Sequence, residues 1–298
     1  MIAFLFQNVL KASLTDFFLV AQEPDLESSL QKLRDLFSGQ SSTSTLNPDE
    51  LKSWLEKAQL EFLEDQEHQI GWVCPLDLEF PQGLLRIGES CFLLRYLGSL
   101  DWQKKTALAV VGTREPHRIS LQWMEENLAG VVKSKDLVLV SGGARGIDQM
   151  AHKISLRAQQ PTVCFVPSGL RRLYPQSLQD LVGPILSQGG VLFSEYSSSQ
   201  EMRKFHFLQR NRLIAGLGIA TLLIQAGRRS GTLLTARSSL DHGKPVFVVP
   251  SHPLDVKSHG GLDLLMDGAS LVRDEKDLSL LIDSEVTGYT RDSGYSWC

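Results

Sequence analysis

From residue 106 onward the chain alternates short, continuous apolar runs with helical stretches. The runs are ALAVVGT (107–113), LVLVSGG (137–143), TVCFVPS (162–168), GVLFSEY (190–196), ATLLIQA (220–226) and PVFVVPS (245–251). A strand with one wet face alternates apolar and polar residues. Runs without alternation are strands covered on both faces, as in a parallel sheet between two layers of helices. Six such β-α repeats predict an α/β fold, a doubly wound, mostly parallel, Rossmann-like sheet over residues 106–275. With 42% hydrophobic residues in 298, the chain has material for a core of that size.

The flanks read differently. Residues 1–70 are expected to form a small, helical, acidic N-terminal domain. Leu26, Leu30, Leu33, Leu36 and Phe37 recur at helical spacing, and Asn47-Pro48-Asp49-Glu50 is a helix start before Leu51, Trp54, Leu55 and Ala58. FSGQSSTSTLN (37–47) is a polar loop between them. Residues 71–105 are expected as a connector packing on the core, and 276–298 as a short tail. The N-terminal MIAFLFQNVLKASLTDFFLV lacks a basic leader and a cleavage site, and Lys11 and Asp16 interrupt it, so an amphipathic helix is expected rather than a signal peptide. No run is long enough to span a bilayer. Cys74, Cys91, Cys164 and Cys298 show neither C-x-x-C nor disulfide spacing, which fits a reducing, cytoplasmic setting.

The net charge of −4 is unevenly spread. Residues 1–71 carry five Lys/Arg against twelve Asp/Glu, a net of −7, whereas residues 202–240 hold seven Lys/Arg and no Asp or Glu. A stretch of one sign raises the local potential even on an acidic protein and points to an anionic partner, a solvated basic face being the plainer alternative.

In doubly wound sheets ligands bind beyond the carboxyl ends of the strands. The turns there are Gly112-Thr113-Arg114, Ser141-Gly142-Gly143-Ala144-Arg145-Gly146, Pro167-Ser168-Gly169 with Arg171 and Arg172, Ser194-Glu195-Tyr196, Gly227-Arg228-Arg229-Ser230-Gly231-Thr232, and Pro250-Ser251-His252. Glycines admit a phosphate to the backbone, helix starts offer free N–H groups, and arginines add forked charge. Together these turns predict a polyanion site. In MRKFHFLQRNRLIAGLG (202–218), Lys204 and Phe207 lie three apart beside Phe205, His206, Arg210, Asn211 and Arg212. Cations interleaved with aromatics suit single-stranded nucleic acid, where phosphates meet cations and splayed bases stack on rings. One of the two phenylalanines is expected as a core anchor, and Arg210 and Asn211 have an alternative reading as ties between helix and loop.

Catalytic readings are weaker. Asp148 and His152 stand at i and i+4, which reads best as a first-turn Asp favoured by the helix dipole above a partly buried His. Glu195, the lone carboxylate among those turns, is expected to organise arginines. No nucleophile motif, metal set or cofactor fingerprint is present, so no enzyme activity, metal or cofactor is expected. The three-glycine turn and acidic ribose ligand of nicotinamide enzymes are both missing.

The segments VVGTR (110–114), SGGARGIDQMAH (141–152), YP (174–175), GGVLFSEY (189–196), FLQRNRLIAGLG (207–218), SGTLLTARSSLDHGKPVFVVPS (230–251) and GGLDLLMDGASLV (260–272), in that order and spacing, resemble the DprA/Smf (DNA processing protein A) family over roughly residues 72–273. The resemblance implies a Rossmann-like fold that binds single-stranded DNA, acts as a homodimer and loads the RecA recombinase in natural transformation. It implies no catalytic reaction and makes single-strand-binding protein a further candidate partner. It assigns DNA contacts to Gly112, Thr113 and Arg114 and to Lys204 and Phe207, and residues 1–70 match the helical N-terminal domain of some relatives. The winged-helix C-terminal domain of many relatives has no counterpart in this sequence. HRIS (117–120), Gln225 and Pro250-Ser251 depart from the family pattern. The rival is a nucleotide phosphoribohydrolase of the lysine-decarboxylase-like family, but AGRRSGTLLTA (226–236) carries Thr235 where the catalytic Glu should stand. The set expected to hold DNA is therefore Gly112, Thr113, Arg114, Gly142, Gly143, Arg145, Lys204, Phe207, Arg210, Asn211, Arg212, Ser230, Gly231 and Thr232.

Overall fold

The structure, a computed structural model, describes residues 2–8, 17, 20–23, 25, 28–29, 31–32, 48–87 and 91–292. The helical spacing of Leu26, Leu30, Leu33, Leu36 and Phe37, the polar loop 37–47 and Cys298 lie outside the described residues. The six apolar runs form the strands β3 (Ala107–Val111), β4 (Val138–Ser141), β5 (Thr162–Phe165), β6 (Val191–Ser194), β7 (Thr221–Leu223) and β8 (Val246–Val248). With β1 (Gly71–Val73), β2 (Leu94–Gly98) and β9 (Ser270–Leu271) they make one nine-stranded sheet of order β1-β2-β6-β5-β4-β3-β7-β8-β9. Strands β6 through β9 in that order are parallel, while β2 runs antiparallel to β6 and β1 to β2.

Alternate residues of the same strand serve different cores. Leu108 and Val110 of β3 join Met124, Leu128 and Ile147 on one face, and Ala107, Ala109 and Val111 join Phe165, Phe193, Leu213 and Ile214 on the other. Every residue of β3 to β8 is buried, which explains the unbroken apolar runs.

The stretch 71–105 does more than pack on the core, because it supplies β1 and β2 at one sheet edge. Arg95 of β2 is fully buried, and its Nε and Nη2 donate to Asp65 (3.2 Å) and Glu61 (2.7 Å) of the helix Pro48–Glu67. Its guanidinium lies 4.5 Å from the Trp72 ring, and Trp72 Nε1 also donates to Asp65, at 2.7 Å. Part of the N-terminal acidity is thus neutralised inside the molecule. The helix Ile2–Asn8 is not amphipathic: Ala3, Phe4, Leu5 and Phe6 in succession are all buried. Ala3, Phe4 and Phe6 pack with Phe17, Val20 and Ala58 on Phe92 and Leu93 just before β2. The stretch expected as a tail begins with the helix Glu275–Asp292, whose Leu278 and Ile282 enter the core beside Val131 and Val132. Among the described residues no helix is long and apolar enough to cross a membrane.

Candidate nucleic-acid interface

Strand order reverses between β3 and β7. The chain steps from β3 to β4, β5 and β6 in one direction, then the helix Lys204–Leu217 carries it back to β7 on the other side of β3. The helical residues after β3 pack with Val110 and Leu222, whereas Ala236, in the helix after β7, packs with Leu223 and Val246. Helices leaving on opposite faces open a crevice at the carboxyl ends of the two strands. Here it is a cavity of about 420 Å³, walled by Gly112, Thr113 and Arg114 after β3, Ser230, Gly231 and Thr232 after β7, and Phe207, Arg210 and Asn211 from the crossover helix.

Backbone ties hold its rim. Thr113 N–H donates to the Gln225 carbonyl (2.8 Å), Ile147 N–H to the Thr113 carbonyl (3.2 Å), and the Thr232 hydroxyl to the Gly112 carbonyl (2.9 Å). Two glycines allow the loops to close on one another. A Cβ on Gly112 would stand 2.5 Å from Ile147, and one on Gly146, at φ +81°, 2.4 Å from the Thr113 carbonyl.

At the mouth, the exposed Arg114 lies over the Phe207 ring, 4.8 Å from guanidinium carbon to centroid. Tyr174 meets the same ring edge-on at 5.9 Å. Neither phenylalanine is a core anchor: Phe205 is 49% exposed and Phe207 half-buried under Arg114. His206 between them takes the inward position and stacks on Tyr196 at 3.9 Å. Lys204, the exposed first residue of the helix, lies outside the cavity wall but one turn before Phe207.

The remaining expected residues divide. Arg210 is 3% exposed and its Nη1 donates to the Phe165 carbonyl at 2.6 Å, so it forms floor rather than rim. Asn211 Nδ2 donates to the Gly231 carbonyl at 3.4 Å, a tie between helix and loop that also lines the cavity. Gly142 and Gly143 are buried. A Cβ on Gly142 would fall 1.9 Å from Arg210 Nη1, and one on Gly143, at φ +70°, 2.8 Å from Leu178. Their lack of a side chain makes room for protein, and they do not face the cavity. Arg145 is exposed beside that turn but off the cavity wall. Arg212 points to the other flank of its helix, where Nη2 pairs with the buried Glu195 at 2.7 Å.

The family model of "DNA recombination-mediator protein A" matches residues 71–283. The chain belongs to this family. It is 36% identical over 206 residues to the DNA processing protein DprA of Streptococcus pneumoniae, covering 68% of this chain and 71% of that one. It is 33% identical over 221 residues to Protein Smf of Escherichia coli, covering 73% of this chain and 57% of that one. The solved DprA of Streptococcus pneumoniae superposes with a TM-score of 0.74 at 31% identity, over 89% of both chains. DprA of Helicobacter pylori, whose structure is described for its single-stranded DNA binding mode, superposes with a TM-score of 0.64 at 28% identity, over 72% of this chain and 97% of that one.

Within this member of the DprA family, two of the stretches that depart from the family pattern pair with each other. Gln225 Oε1 accepts from His117 N–H (3.0 Å) and the Ser120 hydroxyl (2.9 Å), fixing the loop after β3. Thr235 is buried in the cavity wall, so the position that would carry the rival hydrolase's Glu presents a hydroxyl and a methyl. Asp148, Glu115 and Leu208 line the cavity, and Tyr174 buttresses Phe207 beside it, although spacing did not bring any of them into the site. Asp148 is buried, and burial pushes its carboxyl up to about 6 despite the pull of Arg210. His152 is wholly buried rather than partly so. The Thr162 hydroxyl donates to the Leu139 carbonyl (2.8 Å), so His152 Nδ1–H donates to Thr162 Oγ1 (2.8 Å). Burial, reinforced by Arg210, pushes that imidazole down to about 3 and keeps it neutral. Among the described residues no group of three or more His, Cys, Asp or Glu is placed to hold a metal.

Proposed function

We propose that this chain binds single-stranded DNA at the β3–β7 cavity and loads the RecA recombinase onto it. The observation that carries the reading is the Arg114–Phe207 pair at the cavity mouth, a cation lying over a half-buried ring within one nucleotide's reach. Arg114 and Lys204 supply charge for phosphates, Phe207 a surface on which a base stacks, and the glycine rim a close backbone approach. The cavity, about 420 Å³, is large enough to receive one splayed nucleotide. The single-strand binding described for the Helicobacter pylori relative supports the same assignment. Gly142, Gly143, Arg210 and Arg212 act in this reading by building and holding the site, and Arg145 as a peripheral cation.

No reaction is part of the proposal, since Thr235 leaves no carboxylate to stabilise a ribosyl cation at that position. The N-terminal 70 residues, whose described helices dock on β1 and β2, face a protein in this reading. The exposed Glu56, Glu64 and Glu67 on the helix Pro48–Glu67 repel DNA, while Leu60 and Leu63, also exposed, offer apolar surface to a protein. Two copies of the chain, joined as a homodimer, present DNA side by side and gain apparent affinity through effective concentration. Filament formation on strands already coated by single-strand-binding protein is the step this accelerates.

The deciding experiment compares binding to single- and double-stranded oligonucleotides across a salt series. Preference for the single strand with a steep salt slope is expected. Equal affinities, or no slope, reject the binding site. RecA-catalysed strand exchange with the cognate proteins tests the loading step, and absence of acceleration by the full-length chain rejects it.

A further inference from the structure

The mouth of the cavity carries a second aromatic ring. Tyr174 meets Phe207 at 5.9 Å with the two planes 84° apart, and it is 39% exposed. Among the described residues this is its only ring contact, and its hydroxyl has no hydrogen-bond partner. We propose that bound single-stranded DNA leaves the cavity over Tyr174, which stacks the base next to the one at Phe207, while Arg145 and Arg172 hold the adjoining phosphates. The proposal rests on the single-strand reading above and gives the strand a direction.

Tyr174 stands at the mouth because two loops are tied together. Gln149 Nε2 donates to the Gly143 carbonyl (3.1 Å) and to the Ser177 hydroxyl (2.9 Å), joining the turn after β4 to the segment after β5. Leu178 of that segment closes on Gly143, where an added Cβ would fall 2.8 Å away. The same turn carries Ala144 on the cavity wall and then Arg145. Gly146 follows so close to Arg114 that a Cβ on it would stand 2.8 Å from the Arg114 carbonyl, which keeps Arg145 beside the mouth. Arg172 comes two residues before Tyr174, a reach of about 7 Å along the chain.

Charge favours this side of the mouth over the other. Arg145 and Arg172 are exposed, and neither has an ion pair or a side-chain hydrogen bond among the described residues. Arg171, next to Arg172, is already met by Glu64 at 3.3 Å and bounds the path. The next acid of the segment, Asp180, lies further on in the helix Gln179–Ser187. Beyond β7 and β8 the cations have carboxylates for neighbours. Arg228 donates to Asp263 at 2.7 and 2.9 Å, Lys257 stands 3.9 Å from Glu115, and His117 stands 3.2 Å from Asp255, with Arg229 left exposed. A phosphate there competes with carboxylates, whereas beside Tyr174 it meets open guanidinium groups. Ring orientation adds selectivity. Neighbouring bases of a duplex lie parallel and cannot occupy two rings set at 84°, but a single strand turns between nucleotides and can.

The test is a double-mutant cycle read by binding to an oligothymidylate of about 16 nucleotides. Tyr174→Leu keeps an apolar prop for Phe207 but removes the aromatic face. It is expected to bind roughly tenfold more weakly with an unchanged salt slope, and Tyr174→Phe should restore most of the loss. Phe207→Ala should lose about as much, and the double variant roughly a hundredfold, because two separate bases are released. Arg145→Ala and Arg172→Ala should each lower the slope by about 0.7, the share of one phosphate, with Tm near the wild type. If Tyr174→Leu binds like the wild type while Phe207→Ala does not, the exit path is wrong and the first site stands. A double variant no weaker than Phe207→Ala makes Tyr174 a prop for that ring and overturns the proposal. Unchanged slopes in both arginine variants overturn it too. If the wild type shows no single-strand preference, the reading beneath it falls as well.

Discussion

The Arg114 guanidinium stands 4.8 Å from the centre of the Phe207 ring, although the two residues come from different layers of the fold, one from the end of β3 and one from the crossover helix. At an exposed site such a pair contributes about 0.5–1 kcal/mol, little for stability but enough to hold both groups ready. Phe207→Ala is expected to weaken single-strand binding by roughly 1–3 kcal/mol with little change in salt slope, because stacking carries no charge. Fluorescence anisotropy at several salt concentrations checks it. Loss of the folded state in thermal melts would instead make the ring a core element.

Charge is read separately. Arg114→Ala and Lys204→Ala each remove one exposed cation, so each should flatten the log–log salt slope by about 0.7. Their Tm should stay near the wild type, since exposed substitutions cost within about 0.5 kcal/mol. An unchanged slope in either variant removes that residue from the phosphate path.

Arg210 is predicted to behave in the opposite way. Arg210→Met keeps much of the volume but leaves the Phe165 carbonyl without this donor and Asp148 without the stronger of its two neighbouring positive charges, Arg114 remaining. A stability loss of about 1–3 kcal/mol is expected in denaturant titrations. Binding measured well below the new Tm should keep the wild-type salt slope. A flattened slope with unchanged stability would move Arg210 from the floor to the DNA.

Two buried groups give a pH signature of opposite sign. Asp148 titrates at about 6 in the folded protein, above its ordinary 3.8, so it takes up protons more readily folded than unfolded. Its contribution, about 3 kcal/mol, is present below pH 4 and is lost as pH rises through 6. His152 is lowered from 6.5 to about 3, so its contribution is present above pH 6.5 and is lost as pH falls toward 3. In the wild type the two oppose each other between about pH 4 and 6. Asp148→Asn should therefore make stability climb more steeply with pH across that window, by chemical denaturation at half-unit steps. An identical pH profile in the variant would show that Asp148 titrates normally.

Incubation with nucleoside monophosphates is expected to release no free base above background, because Thr235 stands in the cavity wall where a hydrolase would need Glu. Chromatographic detection of enzyme-dependent base release would restore the phosphoribohydrolase reading.

The six central strands were legible because burial on both faces leaves a local mark: a strand flanked by helices cannot alternate with polar residues, and β3 to β8 do not. The strand-end turns were legible for a related reason, since a parallel sheet puts the chain's special loops on one rim. The edges carried no such mark. β1 and β9 span three and two residues, too short for any period to show, and β2 contains Arg95, which reads as surface until Glu61 and Asp65 arrive from the N-terminal helix. The sorting of the arginines was likewise hidden. Arg114, Arg210 and Arg212 each look like a phosphate ligand in the chain, yet one is exposed over an aromatic ring, one is buried against the Phe165 carbonyl and one is paired with Glu195. Strand character follows from the sterics and burial of neighbouring residues and is written locally. Which way an arginine points on a crossover helix depends on where that helix docks, and that is decided by contacts with residues far away in the chain, such as the close fit of Arg210 over Gly142.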